Sequence, residues 1–273
     1  MNWVKQEIHV GAEKPFRVLH LSDTHMIFVD DRDDKRKLKL AENRRHHLHH
    51  INSFLEAAEY AKAEGLPILH TGDFLDFVSW ANIDKAREIT DKYDVFMAAG
   101  NHEYSLYMGE AFEDEAYRNL SLEKVQSAFK NNIRCDRREI CGVNFVAIDN
   151  GYYLMNWEQL NFLKAVAAEG KPVVLMIHVP LYTEEQGEIA REKGESMSVM
   201  GAPEALMGYY DELSFRQQLP DEPTKAAYEY ITHEPMIKAI LTGHEHTDRD
   251  IPLTDTVIQY QTGVESVREI VFT

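Results

Sequence analysis

Five short apolar runs in this chain of 273 residues each end in Asp, His or Asn, and that recurrence limits what it can fold into. Phe16–Leu21 is followed by Asp23 and His25, and Pro67–His70 by Gly72 and Asp73. Val95–Ala99 is followed by Gly100, Asn101 and His102, Pro172–Ile177 by His178, and Ile237–Leu241 by Gly243, His244 and His246. Apolar runs of this length read as buried strands. In open α/β sheets ligands sit beyond the carboxyl ends of the strands. Any one of these polar groups alone reads as an ordinary hydrogen-bonded loop residue. Five in succession predict one shared site.

Between the runs the chain reads as helix. Apolar residues recur at helical spacing from about Glu42 to Glu64, where Gly65 and Pro67 stop the pattern. Ala81–Lys92, Leu120–Lys130 and Asn156–Glu169 read the same way, the last with Trp157, Leu160, Leu163 and Val166 on one face. Asp30–Lys39 is dense in mixed charge and reads as a solvated loop. Ile140–Ile148 reads as a hairpin turning near Gly142, and Val257–Tyr260 and Val267–Phe272 as closing strands. Residues 182–224 are rich in Gly, Glu, Met and Pro, with weak periodicity. A connection that long suggests a lid or substrate loop inserted into a single domain spanning 1–273.

Bulk properties narrow the function. A net charge of -17 argues against broad contact with nucleic acid or anionic lipid. It leaves room for a small anionic substrate, because bound cations invert the local field. No run approaches the roughly 18 apolar residues of a membrane span, and the start has no signal-peptide core. Cys135 and Cys141 are too few for a disulfide scaffold, though one hairpin bridge is open to them. The expectation is a cytoplasmic protein without a membrane partner.

The strand ends supply Asp23, His25, Asp73, Asn101, His178, His244 and His246: two carboxylates, one amide oxygen, four imidazoles and no thiolate. Two divalent cations sharing a carboxylate need about that many ligands. Mixed N/O sets suit Mn, Fe, Zn, Co or Ni rather than Ca or Mg alone. The ordered series Asp23-x-His25, Gly72-Asp73-x-x-Asp76, Gly100-Asn101-His102-Glu103, His178-x-Pro180 and Gly243-His244-x-His246 resembles the calcineurin-like metallophosphoesterases, from about Phe16 to the end of the chain.

That resemblance implies a four-layer α-β-β-α sandwich with two facing mixed β-sheets. It implies a hydrolase of phosphomonoesters or phosphodiesters with two transition-metal ions, divalent or mixed-valence, and a metal-bridging hydroxide as nucleophile. Asp23, His25 and His246 would hold one ion and Asn101, His178 and His244 the other, with Asp73 bridging. His102 would assist the leaving oxygen and Asp76 would orient His102. Phe77-Val78 stand where the protein Ser/Thr phosphatases of the family carry Arg-Gly, so that branch fits less well. The opening Leu19-His-Leu-Ser-Asp-Thr-His is more similar to bacterial phosphodiesterase-like members. The alternatives are a nuclease acting on nucleotides or short strands, and a catalytically silent metal-binding scaffold. The latter would be expected to lack the outer His or several ligands; none is missing.

Other polar residues carry blander readings. Glu103 and Glu245 read as loop hydrogen bonding, and His20 and His70 as core histidines. His46, His49 and His50 share a solvated helix face, and Asn150 lies in a turn. Met197, Met200, Met207, Tyr209 and Tyr210 read as either a substrate wall or packing of the insertion.

Overall fold

A computed structural model describes residues 1–108, 114–207 and 212–273. The strands are β1 (Asn2–Ile8), β2 (Phe16–Leu21), β3 (Ile68–His70), β4 (Val95–Met97), β5 (Cys135–Ile140), β6 (Val143–Ile148), β7 (Val173–Met176), β8 (Ile237–Thr242), β9 (Arg249–Pro252), β10 (Ile258–Gln261) and β11 (Ser266–Phe272). The helices are α1 (Lys35–Asn43), α2 (Leu48–Glu64), α3 (Trp80–Lys92), α4 (Glu115–Asn119), α5 (Leu122–Gln126), α6 (Trp157–Ala167), α7 (Glu184–Lys193), α8 (Glu212–Gln218) and α9 (Glu222–His233).

Two mixed sheets result, ordered β1-β11-β2-β3-β4 and β5-β6-β7-β8-β10-β9. Period-2 alternation explains why they face each other. In the first sheet Val18, Leu69, Phe96 and Ile270 point to one side, and Leu19, Ile68, Val95 and Met97 to the other. In the second sheet Phe145, Ala147, Val174 and Met176 join the first group, while Val146, Ile148, Val173 and Leu175 turn outward. The first group forms the core between the sheets. The outer faces are covered by α2 and α3 on one side (Ile51, Phe54, Ile83, Ala86) and by α6 and α9 on the other (Leu160, Leu163, Ala227, Ile231). The four-layer sandwich follows.

Several elements depart from the sequence reading. The expected loop Asp30–Lys39 turns helical at Lys35, where α1 starts, capped by Asp34, whose carboxylate accepts from the amides of Arg36 and Lys37. The helix expected over Leu120–Lys130 is confined to the short α5, and α4 precedes it. Trp157 is half exposed, because it sits at the first position of α6, beyond the sheet's cover. β1, β9 and α9 were not anticipated. Cys135 and Cys141 are free thiols. In the insertion, Met197 and Met207 pack with Tyr182, Val199 and Leu206, so their apolar surface serves the loop's own packing, whereas Met200 is buried in the core of the second sheet with Val179 and Leu181. Tyr209 and Tyr210 lie outside the described residues. No helix among the described residues is long and apolar enough to cross a membrane.

Candidate metal centre

The parallel register of β2, β3 and β4 brings Asp23, Asp73 and Asn101 to one edge, and β7 and β8 bring His178 and His244 to the same edge of the other sheet. Asp23, His25, Asp73, His244 and His246 all adopt positive φ, between 48° and 74°. Left-handed backbone at a residue with a side chain costs roughly 1–2 kcal/mol. The conformation is held by hydrogen bonds between loops: Asp23 N–H to Gly72 O (3.0 Å), His25 N–H to Asp73 O (2.8 Å) and Gly243 N–H to His178 O (3.0 Å). Gly72, at φ 95°, admits no side chain; a Cβ there would stand 2.6 Å from Gly100 N and 2.7 Å from His178 Nδ1.

The imidazoles converge through atoms whose tautomers are fixed from behind. Nδ1 of His25 is 3.0 Å from Asp76 Oδ1, and Nδ1 of His178 is 2.7 Å from the carbonyl of Thr71. Each acceptor commits Nδ1 as the donor, which leaves Nε2 to face the site. Nε2 of His25 lies 3.1 Å from Nε2 of His246, which is 3.3 Å from Asp23 Oδ1. Nε2 of His178 lies 3.2 Å from Nδ1 of His244, whose Nε2 contacts the Tyr153 hydroxyl at 2.8 Å. Asp73 Oδ2 stands between the two imidazole pairs, 3.8 Å from His25 Nε2 and 3.2 Å from His178 Nε2.

These spacings match the edges of a coordination polyhedron. Ligand atoms bound at about 2.0–2.1 Å to one ion stand roughly 3–3.5 Å apart. Asp23 Oδ1 and Asn101 Oδ1 are also buried without a hydrogen-bond partner among the described residues, a costly state unless a cation faces them. The donor set therefore fits metal ions.

Electrostatics agree. Burial alone would lower the pKa values of His25 and His178. Instead Asp23 and Asp76 carry His25 up to about 10, and Asp73 carries His178 up to about 9. Protons occupy the field that a metal would neutralise. Burial keeps His244 neutral, with its pKa down at about 3. Both raised values lie above 7 and coordination requires the neutral ring, so metal binding should release protons and tighten as pH rises from 6 to 9. Calorimetric titration with Mn in buffers of different ionisation enthalpy reads this directly. Affinity independent of pH between 6 and 8 would contradict it.

His102 lies at the edge, with its side chain mostly buried. Its Nδ1 is 3.0 Å from the Asp76 carbonyl and 3.3 Å from Asp76 Oδ1, and its Nε2 is 3.9 Å from Asp73 Oδ2. Burial would depress its pKa, but Asp73 and Asp76 raise it. Asp76 is thus shared between His25 and His102, which the sequence reading assigned only in part.

Glu103 does more than ordinary loop bonding. Its carboxylate accepts from four backbone amides: Asp73 (2.8 Å), Phe74 (2.7 Å), Leu75 (3.0 Å) and Gly100 (2.6 Å). It ties the loop of Asp73 to the loop of Asn101. Burial and the Asp73 carboxylate push its pKa up to about 7, while the amides favour the charge. Glu103→Ala should orphan these donors at roughly 1–3 kcal/mol each. Relaxation and water limit the total to about 4 kcal/mol, or a fall of roughly 8–16 °C in thermal midpoint. A midpoint within 2 °C of wild type would refute the clamp.

Four contacts escaped the sequence reading. Arg44 grips Asp76 through Nε and through Nη2 at 2.9 Å from Oδ1. His47, rather than His46 or His49, turns inward, with its ring 5.3 Å from that of His25; His50 follows at 6.4 Å. Asn150 is buried, its Oδ1 accepting from the amides of His178 and Val179 at 3.0 Å. Tyr153 backs His244. A basic or polar residue far from the motifs gives no sequence signal of which carboxylate it will reach. His20 and His70 are core histidines, each hydrogen-bonded to a threonine hydroxyl at 2.9 Å.

A family model for calcineurin-like phosphoesterases matches residues 16–248. The chain belongs to that family. It is accordingly a metal-dependent phosphoesterase. Similar solved structures include a dimetal phosphatase from Danio rerio, with 11% identity, TM-score 0.49, and coverage of 91% of this chain and 88% of that one. The phosphopantetheinyl hydrolase of Mycobacterium tuberculosis has 12% identity and TM-score 0.44, covering 95% and 90%. A putative 5'-nucleotidase from Staphylococcus aureus has 13% identity and TM-score 0.44, covering 94% of this chain but 51% of its own. The chain thus spans about half the length of that protein. Among curated protein sequences none matches this chain.

Proposed function

We propose that the protein is a binuclear metal-dependent hydrolase of small phosphomonoesters or phosphodiesters. The observation that carries this reading is the position of Asp73 Oδ2 between the His25–His246 pair and the His178–His244 pair. Asp23, His25 and His246 would hold one ion and Asn101, His178 and His244 the other, with Asp73 common to both. The N/O donor set suits Mn, Fe, Zn, Co or Ni. Two such cations supply acidified water at neutral pH and charge for the phosphoryl oxygens.

The chain's own residues do the rest. Asp76 and its carbonyl hold Nδ1 of His102, so Nε2 is presented toward the substrate. The raised pKa keeps a proton there for the leaving oxygen. Glu103 keeps the loops of Asp73 and Asn101 at fixed separation. Residues 182–224 act as a lid: α7 faces Glu245 and Arg249, beside the last ligands, across a cleft of about 220 Å³. Cytoplasmic residence belongs to the same proposal and is supported by two unbonded thiols.

A hydrolysis screen with added Mn tests the reading across aryl phosphates, bis-aryl phosphates, cyclic nucleotides and nucleotide sugars. Turnover of at least one class that disappears on chelation is expected. Inactivity toward all classes in protein shown to be metal-loaded would refute it.

A further inference from the structure

The chain is acidic, yet residues 35–50 carry six of its 29 Lys and Arg against one of its 46 Asp and Glu. The cations are Lys35, Arg36, Lys37, Lys39, Arg44 and Arg45, and the lone carboxylate is Glu42. Most of them lie on α1, and both ends of α1 are tied to the neighbourhood of His102. At its start the Tyr107 hydroxyl donates to Asp34 Oδ2 at 2.5 Å, and the Arg36 guanidinium lies 4.1 Å over the Tyr107 ring. Tyr107 is five residues beyond His102. At its end Arg44, the residue that closes α1, grips Asp76, which contacts His102. Nine helical residues span about 13 Å. The helix therefore runs beside the segment that carries His102.

Lys35, Lys39 and Arg45 are exposed, and among the described residues no carboxylate pairs with them. Unneutralised cations on α1 and on the turn that follows it repel each other, and here they do so beside a site built for phosphate. An anion on the substrate would relieve that repulsion.

We propose that α1 and the turn after it bind a second anionic group, a phosphate on the leaving half of the substrate. Its preferred substrates then have leaving groups that are themselves phosphorylated, as in a nucleoside diphosphate rather than a monophosphate. The proposal rests on the reading above, in which His102 faces the leaving oxygen. It deepens that reading by naming the chemistry beyond that oxygen.

The test compares the non-hydrolysable methylene analogues of AMP and ADP, which differ by one phosphate, binding to Mn-loaded protein by calorimetry. In wild type the ADP analogue should bind about tenfold more tightly, the sum of a few exposed charge pairs. In the variant Lys35→Gln, Lys39→Gln, Arg45→Gln that advantage should fall to within twofold, with little change for the AMP analogue. Raising ionic strength should erode the ADP advantage in wild type. An advantage that survives in the variant, or is missing from wild type, overturns the subsite. So does a variant that loses affinity for a short single-stranded oligonucleotide while keeping its ADP to AMP ratio. Hydrolysis of p-nitrophenyl phosphate by wild type is scored separately. Its absence removes the hydrolytic reading, whereas a failed ratio with hydrolysis intact removes only the subsite.

Discussion

Asp73→Asn is expected to lower turnover by at least about a thousandfold and to reduce metal content to one ion per chain or fewer. Changes behind a metal ligand already cost 10–100-fold in affinity or activity. Asp73 stands ahead of that layer: Oδ2 faces both imidazole pairs, and Oδ1 accepts the His102 amide at 2.9 Å. Asparagine preserves shape and one oxygen while removing the charge. Three carboxylates, Asp23, Asp73 and Asp76, offset the imidazoles here, and burial alone would raise the pKa of each. All three are instead held well below the carboxylate range by neighbouring histidines. Without Asp73, His178 loses the partner that raises its pKa most. Elemental analysis with steady-state kinetics checks both parts, and two ions retained with turnover within tenfold would contradict the assignment.

His102→Ala should behave differently. Proton transfer by a positioned side chain contributes about 10²–10⁴-fold, so turnover should fall by that order. Metal content should stay the same, because the His102 Nε2 is 3.9 Å from Asp73 Oδ2 and its Nδ1 is turned to Asp76. The loss should shrink for esters with acidic leaving groups such as p-nitrophenol, which depart without a proton. Loss of metal on this substitution would mean that His102 is a ligand.

Much of this was legible in the sequence because strands and their loops obey local rules. The runs at Phe16, Pro67, Val95, Pro172 and Ile237 are short and apolar because their strands are buried on both faces. The ligands follow each run within a few residues. Their left-handed backbone was not read, although Asp and His tolerate that conformation better than most residues. What escaped depends on tertiary contacts. α1 buries only Ala41, so apolar spacing could not announce it; its ends are set by Asp34 and by Arg44 on Asp76. The histidine run was misphased because Arg45–His47 is a 3₁₀ turn ahead of α2, and the helical wheel does not extend across that break. Glu103 looked like scaffolding and is, but the number of loops it joins could not be counted from one motif.

Everything above depends on the strand ends forming one centre for two metal ions. Reconstitution of the purified chain with Mn, followed by removal of excess and elemental analysis, tests it most directly. Two ions per chain are expected, with hydrolysis of a phosphate ester rising as the second is filled. A folded chain that retains no metal, or hydrolyses esters equally well after exhaustive chelation, would contradict it.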